Sequence, residues 1–285
     1  MIAEQIFLQD IFPALSSLPS PTPLTTYCRD TLTELRPRRF PAVIICPGGG
    51  YGGIAGREGE PIALAFLAQG IQCFVLRYHT APVRYPAQLT ELAAAVAFVR
   101  TNAERYSIDP EHISVMGFSA GGHLVGSYAT HWHEPQYAEM LGCDRETLRP
   151  NGVVPCYGVL SGGEHTHDGT MKNLLGEQDS PEMRRYLSFE ENVTADTPPA
   201  FIWHTVADQA VPVENALLAA SALNAHKIPF ELHIYPEGRH GLALVNWLTA
   251  FDQGDPPPRT IASWVNDCAD WMLRLAGIDR DTYRS

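Results

Sequence analysis

From residue 41 onward, short and almost wholly apolar runs alternate with longer segments of helical periodicity. This rhythm restricts the fold more than any other feature of the chain. Pro41–Cys46 (PAVIIC), Ile71–Tyr78 (IQCFVLRY), Ile113–Met116, Val153–Leu160, Ala200–Thr205 and Glu231–Tyr235 read as strands. Pro61–Gln69, Ala87–Tyr106, Ala120–His131, a stretch from about Val213 to His226, and Ile261–Ala276 read as helices. Pro61 early in its helix and Gly70 just past the end fit the usual start and stop chemistry. Strands that alternate with helices pair in parallel and carry helices on both faces. Nearly continuous apolarity is what a strand covered on both sides requires. The predicted class is α/β, a mostly parallel central sheet with helices on both faces, in a single domain over 1–285. Short strand-like pieces, Gln5–Leu8 and Leu24–Cys28, precede the alternation among prolines. The rhythm breaks once, at Ser161–Pro199, which is too long for a plain loop and holds a helix-like stretch at Pro181–Leu187. This segment, 161–199, is expected to be a small cap insertion over the strand ends.

Composition narrows the function. Hydrophobic residues make up 45% of the 285, enough for a large core and against global disorder. Lys plus Arg is 20 against 32 for Asp plus Glu, a net charge of −12. A nucleic-acid partner needs a basic footprint to neutralise phosphates, and none is present. An acidic surface also disfavours an anionic membrane, and no run approaches the ~20 apolar residues of a membrane span. The N-terminus lacks a basic segment and carries Glu4 and Asp10, so it does not read as a secretory signal. The six cysteines form no CxxC pair and read as free thiols of a cytoplasmic protein.

In a parallel sheet the ligand site lies at the carboxyl ends of the strands, so the residues just past each strand carry the chemistry. Gly117-Phe118-Ser119-Ala120-Gly121 follows the run His112–Met116 and opens a helical pattern. That strand–turn–helix setting is what a GxSxG nucleophile elbow requires. Flanking glycines let strand and helix pass closely, and the Ala120 amide sits at a helix start, where it is unpaired and favours negative charge. Ser119 is the candidate nucleophile. A serine hydroxyl needs a base, usually a histidine oriented by a carboxylate, and in this setting the chain order is Ser, Asp or Glu, His. Asp208 follows the strand Ala200–Thr205, and His240, flanked by Gly238 and Gly241, follows Glu231–Tyr235. Glu237 is a rival acid in the histidine loop; Asp252 and Asp255 follow the histidine, the wrong order. Gly48-Gly49-Gly50 follows the first buried strand, where the second oxyanion amide is expected.

Two other readings compete. Gly48, Gly50 and Gly53 satisfy G-x-G-x-x-G, a dinucleotide fingerprint. No helical pattern opens at Gly53, and the next strand ends in Leu-Arg-Tyr-His with no acid for a ribose. His131/His133 and His165/His167 raise a metal question, but i and i+2 do not share a helix face and no further ligand spacing accompanies them. Among nearby polar residues, Tyr51, Glu58 and His123 are candidate substrate contacts. Asp252–Pro258, with three consecutive prolines, reads as a rigid loop that edges the pocket, sits in a subunit interface or does neither.

With these residues in place the chain resembles the α/β-hydrolase serine esterases of the bacterial acetylesterase and acetyl-xylan-esterase-like type. The matching pieces are Cys46–Tyr51, Arg57–Pro61, Gly117–His123, Asp208–Pro212 and Pro236–Leu242. The resemblance implies a serine carboxylesterase for short-acyl esters, including acetyl groups on sugars or xylan fragments. It also implies Ser119, Asp208 and His240 as the triad, and amides of Gly49, Gly50 and Ala120 as the oxyanion hole. It implies a small-molecule ester substrate, no cofactor and often a homo-oligomer. Pro47 stands where related hormone-sensitive-lipase-like enzymes carry the histidine of His-Gly-Gly-Gly. A prolyl-oligopeptidase-type peptidase, which usually brings a large gating domain, and a non-catalytic binding protein on the same fold remain the alternatives.

Overall fold

The computed structural model describes residues 1–30, 38–250 and 258–279. Among them, eight strands form one sheet in the order β1-β2-β4-β3-β5-β6-β7-β8. They are β1 (Gln5–Phe7), β2 (Pro23–Tyr27), β3 (Phe40–Cys46), β4 (Gln72–Leu76), β5 (Ile108–Phe118), β6 (Gly152–Cys156), β7 (Ala200–Thr205) and β8 (Phe230–Tyr235). From β4 to β8 across the sheet every pairing is parallel, as the alternation predicted. The N-terminal pieces pair antiparallel, β1 with β2 and β2 with β4, and so extend one edge.

The helices are α1 (Glu60–Ala68), α2 (Ala87–Thr101), α3 (Ala120–His131), α4 (Pro135–Leu141), α5 (Asp168–Leu175), α6 (Pro181–Tyr186), α7 (Phe189–Asn192), α8 (Glu214–Ala225) and α9 (Trp264–Leu275). The period-2 geometry of the strands sends alternate side chains to opposite layers. Val43 and Ile45 of β3 join a core with Ile62 and Phe66 of α1 and Trp264 of α9. Ala42, Ile44 and Cys46 join the other core, with Leu92 of α2, Leu124 of α3 and Leu223 of α8.

Several boundaries differ from the sequence expectation. β5 begins at Ile108 rather than Ile113, because Ile108 pairs with Phe40 before a register shift near Pro110. The helix expected to reach Tyr106 ends at Thr101, where Asn102 caps its last turn. The run expected as Val153–Leu160 is a strand only to Cys156, since Tyr157 turns the chain with φ +37°. The segment 161–199 holds α5, α6 and α7 rather than one helix. Its base is tied by fully buried Asn215 of α8, which accepts from the Ser161 N–H (2.8 Å) and donates to the His165 carbonyl (2.9 Å). The rival acids Asp252 and Asp255, and the proline loop apart from Pro258, lie outside the described residues.

Candidate active site

β5 and α3 meet at Ser119, whose backbone has φ 55° and ψ −115°. A non-glycine residue there carries strain of ~1–3 kcal/mol and persists only when its surroundings hold it. The Ser119 N–H donates to the Cys156 carbonyl (3.0 Å), and its carbonyl accepts from His123 (3.0 Å) and Val159 (3.2 Å). The flanking glycines are required by contact. A Cβ on Gly117 would lie 1.9 Å from the Gly121 carbonyl oxygen, and one on Gly121 would lie 2.0 Å from that of Cys46.

The loops after β7 and β8 bring their candidates to this serine. His240 Nε2 lies 2.7 Å from Ser119 Oγ, and its Nδ1 lies 2.7 Å from Asp208 Oδ2. The other carboxylate oxygen, Oδ1, accepts the amides of Ala210 and Val211 at 2.9 Å each. Burial alone would push the Asp208 carboxyl up. The hydrogen bond and charge of His240, with the two amides, outweigh it and hold the group below its ordinary value. Asp208 is therefore an anion that can orient the imidazole and stabilise its protonated form. Glu237, the rival in the same loop, is not the partner of His240 Nδ1.

The glycine loop after β3 is closed on itself. Gly52 and Gly53 donate to the Gly49 carbonyl (3.0 and 3.2 Å), and Ala55 donates to that of Gly48 (2.9 Å). Asn173 Nδ2 of α5 takes the Gly50 carbonyl at 2.9 Å. With these carbonyls engaged, the amides of Gly49 and Gly50 have no acceptor among the described residues, and neither does that of Ala120 at the start of α3. Gly49 itself has φ +130°, a region that favours glycine. The loop is followed by a 3-10 turn at Gly56–Glu58 and only then by α1, so its glycines do not open a helix as a dinucleotide fingerprint would.

Glu58 lies behind this loop, 1% exposed, although it reaches the cavity wall. Its Oε2 accepts the Gly48 N–H (2.7 Å) and its Oε1 accepts the Tyr157 hydroxyl (2.9 Å). The Tyr157 oxygen in turn accepts the Ala243 N–H (3.0 Å), and its ring stands edge-on to His240 at 5.2 Å. Arg57 Nη1 donates to the Gly241 carbonyl (3.1 Å), and its Nη2 lies 3.5 Å from Glu58 Oε1. A buried carboxylate is costly unless hydrogen-bonded. This one is satisfied by groups that belong to the glycine loop, the end of β6 and, through Tyr157, the histidine loop.

A cavity of about 320 Å³ opens over Ser119, walled by Gly49, Gly50, Glu58, His167, Thr170 and His240, among others. The substrate contacts expected of Tyr51 and His123 are corrected here. Both are fully buried, outside the cavity wall, with Tyr51 Oη 2.9 Å from His123 Nδ1. They pack beneath the glycine loop because the loop folds over them. Glu58 keeps a place in the wall, but its oxygens are already engaged. Sequence reasoning missed Tyr157, Asn173 and Thr170, and weighed His167 only as one of a pair of possible metal ligands. Tyr157 directly follows a strand, and the carboxyl-end rule could have found it; the other three stand in the 161–199 segment. Of the paired histidines, His131 Nδ1 lies 2.8 Å from the Ser127 carbonyl, and His167 caps α5. Among the described residues, no group of three or more His, Cys, Asp or Glu side chains could hold a metal ion. No helix among them is long and apolar enough to cross a membrane.

A mostly parallel sheet with an elbow serine at the end of its central strand defines an α/β-hydrolase. The chain belongs to the BD-FAE family, whose model matches residues 32–223. Endo-1,4-beta-xylanase B of Butyrivibrio fibrisolvens is 40% identical over 214 residues, covering 72% of this chain and 33% of that protein. Acetylxylan esterase of Xylanibacter ruminicola is 28% identical over 249 residues, 85% of this chain and 47% of that one. The chain thus spans between a third and a half of these curated relatives. Among solved structures, the acetyl ester-xyloside bifunctional hydrolase from Caldicellulosiruptor lactoaceticus matches with a TM-score of 0.83 at 36% identity, covering 97% of both chains. A carboxylesterase from Lactobacillus plantarum WCFS1 matches with a TM-score of 0.82 at 29% identity, over 97% of this chain and 98% of that one.

Proposed function

We propose that the chain is a serine carboxylesterase that releases short acyl groups, acetyl foremost, from alcohols such as sugars or xylan fragments. The observation that carries this reading is the line Asp208–His240–Ser119, 2.7 Å at each step, beside three unengaged amides. The names of the relatives point the same way. His240 takes the hydroxyl proton as Ser119 Oγ attacks the ester carbonyl. Amides of Gly49 or Gly50 and of Ala120 receive the oxyanion, each such donor contributing ~3–4 kcal/mol. Collapse expels the alcohol, which takes the proton from His240, and leaves an acyl-serine. Water then repeats the sequence, giving its proton to His240 and releasing the carboxylic acid. In this reading one domain spans the chain, and 161–199 is a cap over the strand ends that shapes the cavity. The six cysteines, all free, accord with a cytoplasmic protein. Assembly as a homo-oligomer belongs to the same proposal, and light scattering on the pure protein tests it.

The test uses p-nitrophenyl acetate, butyrate and octanoate with the protein and with Ser119→Ala. Turnover that falls with chain length and vanishes in the variant, at unchanged Tm, is expected. Full activity of pure Ser119→Ala overturns the assignment. Absence of ester turnover with cleavage of peptide amides makes the chain a peptidase instead.

A further inference from the structure

We propose that His167 is a specificity-determining residue of this site, its Nε2–H donating to a hydroxyl or ring oxygen of a sugar alcohol next to the ester being cleaved. The inference rests on the esterase reading and names the alcohol that reading leaves open.

His167 immediately precedes α5 and caps it. The Thr170 N–H is shared between the His167 carbonyl (2.9 Å) and His167 Nδ1 (3.2 Å), and Nδ1 also lies 2.9 Å from Thr170 Oγ1. A ring nitrogen that accepts an amide proton carries none of its own, so in the neutral ring the proton resides on Nε2. The helix cap therefore favours the tautomer with its proton on Nε2. The half-buried ring lines the cavity over Ser119, and Nε2 has no partner among the described residues.

The other polar side chains of that wall are engaged. Glu58 holds Gly48 and Tyr157, Arg57 reaches the Gly241 carbonyl, and Thr170 Oγ1 is turned to His167. The ester carbonyl is served by the loop and helix amides. A bare acetyl group has no further acceptor to offer, so the remaining donor matches the alcohol side. A sugar offers oxygens adjacent to its ester; an aryl or alkyl alcohol does not. A site with a placed donor loses affinity for an analogue that leaves the donor unpaired.

The test is His167→Ser. Serine at the N-cap accepts the Thr170 amide and keeps the helix start, but it is too short to span the cavity and carries no ring N–H. His167→Asp, which also caps well and carries no donor when ionised, serves as the second variant if the first lowers Tm. Both are compared with the unaltered protein on a mono-acetylated methyl xyloside and on p-nitrophenyl acetate. Expected is a loss of about tenfold in kcat/KM on the xyloside, chiefly through KM, as for one lost hydrogen bond. Activity on p-nitrophenyl acetate should stay within about twofold. Equal kcat/KM on the xyloside overturns the inference, and so does an equal loss on both substrates, which would make His167 a helix cap alone. If the unaltered protein cleaves p-nitrophenyl acetate through Ser119 but leaves the xyloside intact, the sugar-ester reading itself fails.

Discussion

Tyr157→Phe tests whether Glu58 and Tyr157 hold the two halves of the site in register. The substitution removes a single oxygen and keeps the ring that stands against His240. Burial, and then the charge of Glu58, push the Tyr157 phenol well above its ordinary value, so it remains an O–H donor to that carboxylate. Two bonds disappear together, one to Glu58 Oε1 at 2.9 Å and one from the Ala243 N–H at 3.0 Å. Both groups left behind are buried; Glu58 Oε1 keeps only Arg57 at 3.5 Å and the Ala243 N–H keeps no partner among the described residues, and at ~1–3 kcal/mol per weakened group the loss is about 3 kcal/mol in all. At ~2–4 °C per kcal/mol for a chain of this size, Tm falls by about 10 °C. The functional consequence follows from geometry. Glu58 also holds the Gly48 amide, so the oxyanion loop and the histidine loop share one buried anchor. Loosening it separates the donors from the base, while the substituted ring itself stands outside the cavity wall. We expect kcat on p-nitrophenyl acetate to fall about tenfold while KM stays within twofold. Urea unfolding and steady-state kinetics on the same preparation read both quantities. A stability change below ~0.5 kcal/mol, with kcat unaltered, would falsify the argument that this hydroxyl links the loops.

Asp208→Asn keeps the shape of the site but replaces the anion that faces His240 Nδ1–H, so the neutral ring can present the wrong tautomer to Ser119. A comparable change in a Ser-His-Asp protease lowers kcat about 10⁴-fold; steady-state kinetics showing less than a tenfold loss here would remove Asp208 from the assignment. His123 is wholly buried, and burial, then the nearby His131, lower its pKa to about 4. The unfolded chain protonates this histidine near ~6.5 while the folded chain still refuses the proton. Its contribution is therefore complete above pH ~6.5 and is lost as pH falls towards 4, by about 3 kcal/mol. Unfolding free energies measured between pH 7 and 4 should lose that part of their slope in His123→Gln, and an identical slope in both proteins refutes it.

How much of this was legible in the sequence depended on how local each signal is. The parallel layers were readable because strand and helix periods are written in consecutive residues, as in Pro41–Cys46 and Ala120–His131. The elbow was readable for the same reason. Gly117 and Gly121 stand at the two points where a Cβ would strike a carbonyl oxygen, so steric necessity leaves a motif. The approach of Asp208 and His240 to Ser119 was legible from topology, because a parallel sheet gathers the residues that follow its strands at one edge. Tyr51 and His123 were misplaced because nothing local says which side of a glycine loop faces solvent. That is decided when Gly52, Gly53 and Ala55 turn back to donate to Gly49 and Gly48, and when Asn173 takes the Gly50 carbonyl.

That last bond also explains why the segment 161–199 resisted reading. Met171, Leu174, Leu175, Leu187 and Phe189 bury it in the core, but its register over the site is set by long-range hydrogen bonds, Asn173 to Gly50 and Asn215 to Ser161 and His165. Such bonds leave one residue each in the sequence, indistinguishable from a surface asparagine. Asn173 also couples α5 to the oxyanion loop, and α5 begins at the cap made by His167. The element that lines the cavity and the element that offers the amides are thus held by one short helix, so a change in alcohol recognition at His167 will reach the rate unless the helix cap is preserved.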